Sequence, residues 1–529
     1  MKKPFLVLYV FLLFPALLLA QLRDESGYKY AKQISPEHLK ELLYILAADD
    51  MEGRETAMPG QKKAADFIAK YYAQAGIPGH KSTAKGNEVY FQTVPLVKES
   101  MKDCRIVVGS KTFSFIKDFY RFPGYMPEKV SLSQLAFVGY GQDNESYSDY
   151  KGMDVTGKTV MVVMNDPIFN EGKKAAANQR VSQEYKQKRS IAQSKGAAAV
   201  VFINTSYDYY ISRIKLFLEQ ERITLDKKTE VENSDVIPTV FVSPGVANKL
   251  LKRGKKKPFE KYLKKSKKTG QPQSFYFGIQ DGEILLNKSL TSTSSENILA
   301  YIEGSDPVLK NELVVVTGHY DHIGVANGEI NNGADDDASG TVCTMTLAAM
   351  MQKAKSEGFG PKRSVLIINF TGEEKGLLGS EWYTDFPVFP LENTNCNLNI
   401  DMVGRHDAEH EGLPEYIYII GSDFLSTELH DMSLKVRESY SDLAYDYRYN
   451  SPSEPNRFYY RSDHYNFAKN GIPSIFYFSG VHEDYHKPTD TAEKINYEKL
   501  AKVARLVFMT AWHAANADKK FAVDVEEPK

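Results

Sequence analysis

Cysteine is scarce. The chain of 529 residues holds three, Cys104, Cys343 and Cys396, too few for a disulfide framework, and no CxxC pair offers a thiolate metal site. Cys343 lies in an apolar helical stretch and Cys396 just before a strand, so both read as buried small hydrophobes. Net charge is scarce too: 66 basic against 68 acidic residues leave −2, which gives no electrostatic reason to expect nucleic acid as a partner. After the first twenty residues no apolar run is long enough to cross a bilayer, and no tract is read as the helical HExxH zinc site. What remains is ordinary globular composition, 42% hydrophobic and 25% charged, at a length that exceeds one hydrophobic core and predicts two domains.

The opening "MKKPFLVLYVFLLFPALLLAQ" has basic Lys2 and Lys3, an apolar stretch, then Leu18 and Ala20 before Gln21. This is the pattern of a secretory signal peptide cleaved near Ala20, with an uncleaved anchor as the alternative. The mature protein is therefore expected to be secreted or periplasmic, with no stable membrane span.

Next, "SPEHLKELLYILAADDMEGRETAMPGQKKAADFIAKYYAQAGI" predicts two helices around a loop, started at Ser35-Pro36 and restarted at Pro59-Gly60. From 108 to 285 the pattern changes: "VTGKTVMVVMND" and "KGAAAVVFIN" read as strands after glycines, and "VIPTVFVSPGVANKLL" as a strand running into a helix. No convincing cluster of metal-ligand residues occurs there, so 108–285 is read as an inserted, smaller, β-rich α/β domain without catalytic residues. Within it, 249–268 carries eleven basic residues and one acid, either a site for an anionic partner or a solvated helical face. From 295 onward apolar strands alternate with amphipathic helices, which predicts an α/β domain with a mostly parallel central sheet flanked by helices. The expected division is 1–20 as leader, 21–107 with 286–529 as one discontinuous domain, and 108–285 as the insert.

In such sheets chemistry sits at the carboxyl ends of strands. "VVVTGHYD" ends one with His319 and Asp321, "LIINFTGEE" another with Glu373 and Glu374, and "NLNID" a third with Asp401. "NNGADDDASG" lies between the first strand and its helix, and "VHEDYHKPTDT" follows a late strand with His486. Each piece has a plain alternative: an acidic loop can be merely solvated, an HxD pair can be a polar strand end, and two glutamates can complement a helix terminus. Together they converge on one sheet edge. His319 and Asp321 point to one side of an extended chain, so Asp321 can take the ring proton that His319 does not use for a metal. Three consecutive aspartates must fan out, with one or two facing the pocket while another caps the helix. Two zinc ions bring +4. Asp336, Glu374 and Asp401 supply three negative charges and a hydroxide the fourth, and the histidines suit zinc better than magnesium.

"GHYDHIG", "GADDDASG", "TGEEKGLLGS", "NIDMVG", "RSDHYNFAKNGIPS" and "YHKPTDT" occur in the order and approximate spacing of metallopeptidase family twenty-eight, which the chain resembles over roughly 30–107 and 290–515. The insert resembles a protease-associated domain. The resemblance implies two Zn2+ per chain, with His319 and Asp401 on one ion, Glu374 and His486 on the other, and Asp336 bridging. It also implies Glu373 as general base and Asp321 as the residue orienting His319. The implied activity is that of an exopeptidase acting on peptides, first an aminopeptidase, with a carboxypeptidase or dipeptidase of the same fold as alternatives. Readings from other classes are a glutaminyl-cyclase-like acyltransferase and an inactive binding ectodomain. Arg461 resembles a position near the substrate pocket, where it either binds a carboxylate or partners Asp463; Tyr459 and Tyr460 are candidates to hydrogen-bond an oxyanion.

Overall fold

The computed structural model describes residues 23–80, 85–101, 103–122, 127–164, 177–219, 221–227, 236–287, 289–410, 412–413 and 415–526. The expected leader, 1–20, lies outside the described residues, among which no helix is long and apolar enough to cross a membrane. The chain forms two compact units, one from residues up to Leu96 and from Thr293 onward, the other Val97–Ser292. The expected boundaries at 107/108 and 285/286 thus move to 96/97 and 292/293. The strands Phe91–Ser100 and Ser289–Ile302 run across both junctions without a break, so composition gave no mark there.

In the first unit the main-sheet strands from residue 289 onward are β1 (Ser289–Ile302), β2 (Leu313–His319), β3 (Ser364–Phe370), β4 (Thr394–Ile400), β5 (Tyr416–Ile420), β6 (Ala444–Asp446) and β7 (Ser474–Phe478). Their spatial order is β6-β5-β7-β4-β2-β3-β1. The β7-β4-β2-β3 centre is parallel, flanked by antiparallel pairing of β5 with β7 and of β1 with β3. "LVVVTGH" and "SVLIINF" are buried at every position, as expected of parallel strands covered on both faces. Alternate residues go to opposite sides. Val314, Val316, Val365 and Ile367 join the core shared with helices Pro36–Leu46, Pro59–Gln74, Gly340–Ser356 and Tyr497–Asn516. Leu313, Val315, Leu366 and Ile368 face Tyr383 and Phe467 on the other side. Ser35 caps the first of these helices by accepting from His38 N. Because His319 pairs in register with Phe370, and Ile400 with Tyr477, the loops that follow these strands emerge along one edge.

The second unit contains a sheet ordered Phe275–Phe277, Leu135–Phe137, Thr159–Val163, Ala199–Ile203, Thr239–Val242, Phe119–Tyr120, parallel through its centre, and a smaller antiparallel sheet. The basic run occupies helices Pro244–Arg253 and Phe259–Thr269. These bury Leu250, Leu251 and Phe259 and leave most of the cations exposed; Arg253 meets Asp281, and Lys256 stands 4.9 Å over the Phe275 ring. All three cysteines are buried and none forms a disulfide.

Candidate metal centre

Each parallel strand hands ligand-type side chains to that one edge. His319 ends β2. Glu373 and Glu374 lie in a turn after β3, where the sequence suggested a helix start; the helix begins only at Leu378, because Gly372 (φ +68°) and Leu377 (φ +60°) hold left-handed backbone between. Asp401 follows β4, and His486 follows β7.

The three aspartates fan out, and each does something different. Asp335 Oδ1 accepts from Gly404 N at 2.6 Å while Oδ2 faces His482 Nε2 at 3.3 Å. Asp337 accepts Gly340 N at 2.8 Å, Met402 N at 3.1 Å and His319 N at 3.2 Å. It braces the helix entrance and the ends of β2 and β4, and a Cβ on Gly340 would stand 2.3 Å from Ile400 O. Burial, with Asp401 adding to it, pushes the Asp337 carboxyl well above the usual range. Asp336 alone enters the pocket. Its Oδ1 is 3.3 Å from His319 Nε2 and its Oδ2 is 3.0 Å from His486 Nε2. Asp401 Oδ1 is 3.6 Å from His319 Nε2, and Glu374 Oε2 is 3.2 Å from His486 Nε2. One oxygen of Asp336 therefore faces His319 and the other faces His486.

These atoms fit a cation. His319 Nε2, His486 Nε2, Asp336 Oδ2 and Glu374 Oε1 are buried and have no hydrogen-bond partner, a costly state for polar atoms unless something absent satisfies them. Around a tetrahedral ion with bonds of about 2.0–2.1 Å, neighbouring ligand atoms stand roughly 3.3 Å apart, which is the spacing seen. The carboxylates also hold both imidazoles charged against the opposing effect of burial: His319 titrates well above the usual range through Glu373 and Asp401, and His486 is raised to about 10 through Asp336 and Glu374. Burial raises Asp463 to about 7 and Asp490 to about 6. All these folded-state values lie above the unfolded ones. The stability they confer on the metal-free protein is complete below the unfolded values and is lost as pH rises through the folded ones, from about 4 to 10. A divalent cation removes that repulsion. Adding zinc to metal-free protein is thus expected to raise Tm on the order of 5 °C more at pH 8.5 than at pH 6; equal increments would place the cation elsewhere.

Several neighbours were not read from the sequence. His322 is fully buried, with Nδ1 2.9 Å from Glu374 Oε1 and 3.7 Å from Asp336 Oδ2. It is the second histidine of "GHYDHIG", to which the sequence pattern assigns no role. Residues 482–486 spell HEDYH, the letters of the HExxH zinc motif, contrary to the expectation that no such motif is present. The tract is a turn, so His482 faces Asp335 while His486 alone reaches Asp336 and Glu374. Ser462 donates to Asp401 Oδ2 at 2.7 Å. Asp321 meets His319 Nδ1 through its main-chain carbonyl at 3.0 Å, with its carboxylate at 3.7 Å; that carboxylate accepts Glu373 N at 3.2 Å.

Above Asp336, Glu373 and Asp401, the pocket is walled by Met402, Phe458, Phe476, Phe478 and Val481, with Arg461 and Tyr485 also lining it. Arg461 is exposed, lies 4.9 Å over the Phe458 ring and reaches the Tyr485 hydroxyl at 3.5 Å. The alternative partner Asp463 is fully buried. Tyr459 does not line this pocket: its ring is buried, 4.7 Å from Phe424. Tyr460 is half-buried beside Arg457. The tyrosine that does line it is Tyr485, stacked on His486 at 3.8 Å.

Residues 297–511 match the sequence model of peptidase family M28, and 129–250 that of the PA domain. Aminopeptidase YwaD of Bacillus subtilis (strain 168) is 28% identical over 256 residues, 46% of this chain and 51% of that protein. A probable zinc metalloprotease of Pyrenophora teres f. teres (strain 0-1) is 30% identical over 267 residues, 42% of this chain and 52% of that one. The chain thus spans about half the length of these curated relatives. Among solved structures, the aminopeptidase from Aneurinibacillus sp. strain AM-1 shares the fold, with a TM-score of 0.51 at 19% identity over 95% of this chain and 100% of that one. Ligand-type side chains at the ends of parallel strands and a matching segment that contains every one of them agree: residues 297–511 carry the pattern of peptidase family M28, with a PA-domain match ahead of them.

Proposed function

We propose that the chain is a zinc-dependent metallo-exopeptidase, an aminopeptidase that removes N-terminal residues from peptides. The observation that carries this reading is the set of buried, unpartnered imidazole and carboxylate atoms around Asp336. The relatives' names, aminopeptidase and zinc metalloprotease, support it. His319 and Asp401 would hold one Zn2+, Glu374 and His486 a second, and Asp336 would bridge them. Bound zinc supplies a Lewis acid and lowers the pKa of water.

The remaining work falls to the chain's own groups. Burial raises the Glu373 carboxyl well above the usual range, with Glu374 and Asp401 adding and His319 opposing, the direction a general base needs near neutral pH. Its Oε2 lies 3.9 Å from His319 Nε2, at the pocket floor. Asp321 fixes the turn that carries it. The Tyr485 hydroxyl is placed to donate toward a polarised carbonyl oxygen, and the Phe458, Phe476 and Phe478 wall accepts an apolar side chain. An acidic floor attracts the free ammonium of an N-terminus. With the leader expected at 1–20, the setting is secreted or periplasmic.

Exposed Arg461 favours one second reading, a carboxypeptidase or dipeptidase that anchors a terminal carboxylate. Aminoacyl amides with free amines, the same compounds N-blocked, and C-terminal dipeptide substrates separate the two. The aminopeptidase reading expects cleavage of the free-amine set alone. Cleavage of N-blocked C-terminal substrates, lost at least about ten-fold in Arg461→Ala, would move the assignment to the second reading.

A further inference from the structure

The motif match begins at residue 297, yet two side chains well before it, in the loop "DMEGRET", touch the candidate centre. We infer that Arg54 and Thr56 are positioning residues for the metal ligands, so that the centre is incomplete without the segment preceding the inserted domain. This rests on the metal reading above.

Arg54 is fully buried, and its partners are main-chain carbonyls. Nε donates to Tyr320 O at 2.8 Å, Nη1 to Leu46 O at 2.7 Å and Asn332 O at 2.6 Å, and Nη2 to Gly333 O at 2.8 Å. Tyr320 lies between His319 and Asp321, and Gly333 lies three residues before Asp336. One planar guanidinium therefore sets the separation of the two segments that bring His319 and Asp336 together. Main-chain pairing reinforces the grip: His322 N donates to Arg54 O, and Gly324 N to Gly53 O. A Cβ at Gly53 would come within 2.4 Å of Asn331 O, so a larger residue there would push the loops apart. Burying a guanidinium costs several kcal/mol unless nearby charge offsets it. None of these four contacts is a carboxylate, but Asp336, Asp490, Asp321 and Asp337 surround the group and favour its charge. The cation thus also offsets the mutual repulsion of the acids that await a metal.

Thr56 completes the clamp. Its hydroxyl donates to Asp321 Oδ2 at 2.6 Å, while Asp321 Oδ1 accepts Glu373 N at 3.2 Å and the Asp321 carbonyl meets His319 Nδ1 at 3.0 Å. With both oxygens engaged, the Asp321 carboxylate cannot rotate, and the turn carrying Glu373 and Glu374 stays docked on the segment carrying His319. Groups that orient metal ligands in this way are typically worth about 10–100-fold in metal affinity or activity.

The test is made on the full chain. Zinc and cobalt(II) affinity of metal-stripped protein is measured by competition with a chromophoric chelator, which needs no substrate, and kcat and KM are measured alongside. Thr56→Val is expected to weaken metal binding or lower kcat by about 10–100-fold with KM little changed, while Thr56→Ser, which keeps the hydroxyl, stays within about three-fold of wild type. Arg54→Ala is expected to lose affinity and to regain part of it with millimolar guanidinium; if that variant does not fold, the threonine pair decides. Wild-type affinity in folded Thr56→Val overturns the inference. So does equal loss in Thr56→Val and Thr56→Ser, which would trace to packing and not to the hydroxyl. A wild type that binds no metal would sink the metal reading itself. Binding without any peptidase activity would sink the functional proposal while leaving the inference standing on affinity.

Discussion

Glu373→Gln is expected to lose about a thousand-fold in kcat while keeping its metal content and holding KM within about two-fold. The amide has nearly the size of the carboxyl and preserves the turn, whose main-chain N–H is held by Asp321. What it cannot do is take up and release a proton. Burial and the acids Glu374 and Asp401 already push the Glu373 carboxyl upward, so the wild-type acid limb of kcat/KM reports its ionisation in the free enzyme, and the variant should lose that limb together with its rate. Metal analysis and a pH profile on the same preparation separate three cases. Rate lost with metal retained supports the proton-transfer role. Metal lost as well would make Glu373 a ligand. Rate retained above about a tenth of wild type would point to another base, and buried Asp463, raised to about 7 by burial, is the group to substitute next.

What the sequence made legible follows a physical pattern. Runs such as "LVVVTGH" and "SVLIINF" announce strands covered on both faces because four apolar residues follow one another without alternation in each, and the structure buries every position. The acids and histidines at their ends could be read because strand ends are a one-dimensional feature. The angle at which a side chain leaves a turn is not. Nothing in "TGEEKGLLGS" says that the glutamates sit in a turn and the helix waits until Leu378. Tyr459 and Tyr485 look alike as letters, but the first fills an aromatic core and the second lies against the pocket. HEDYH reads as a zinc helix only if it is helical, and here it is not. Arg54 was hardest to see. Its carbonyl partners carry no side-chain signal, and those at Asn332 and Gly333 lie 278 and 279 positions away, beyond an inserted domain.

Asp336→Asn and Asp337→Asn, one position apart, are expected to fail in opposite ways. Asp336 gives Oδ1 to the side of His319 and Oδ2 to the side of His486. An amide there removes the negative charge both sets share and turns a donor toward one imidazole. If breaking that shared interaction costs about 3–5 kcal/mol, as for a buried ion pair losing one partner, affinity should fall by roughly 10²- to 10⁴-fold at both positions together. Activity should fall with it, while the metal-free protein still folds, short only of the attraction between Asp336 and the His319 and His486 imidazoles. Asp337 instead spends its two oxygens on three main-chain N–H donors. Its amide would turn an NH2 toward at least one of them, an unsatisfied buried pair worth about 1–3 kcal/mol. That variant should melt lower yet still bind metal with near wild-type stoichiometry. His486→Ala sits between the two: it removes a ligand from one set only, so about one equivalent of metal should remain on the side of His319. His322→Ala tests whether the second imidazole facing Glu374 takes part as well. If Asp336→Asn also retained one tightly held equivalent, its two oxygens would belong to a single set and the bridging role would fall. Loss of both equivalents in Asp336→Asn but of one in His486→Ala is the result that two cations sharing one carboxylate require, because only the shared group reports on both.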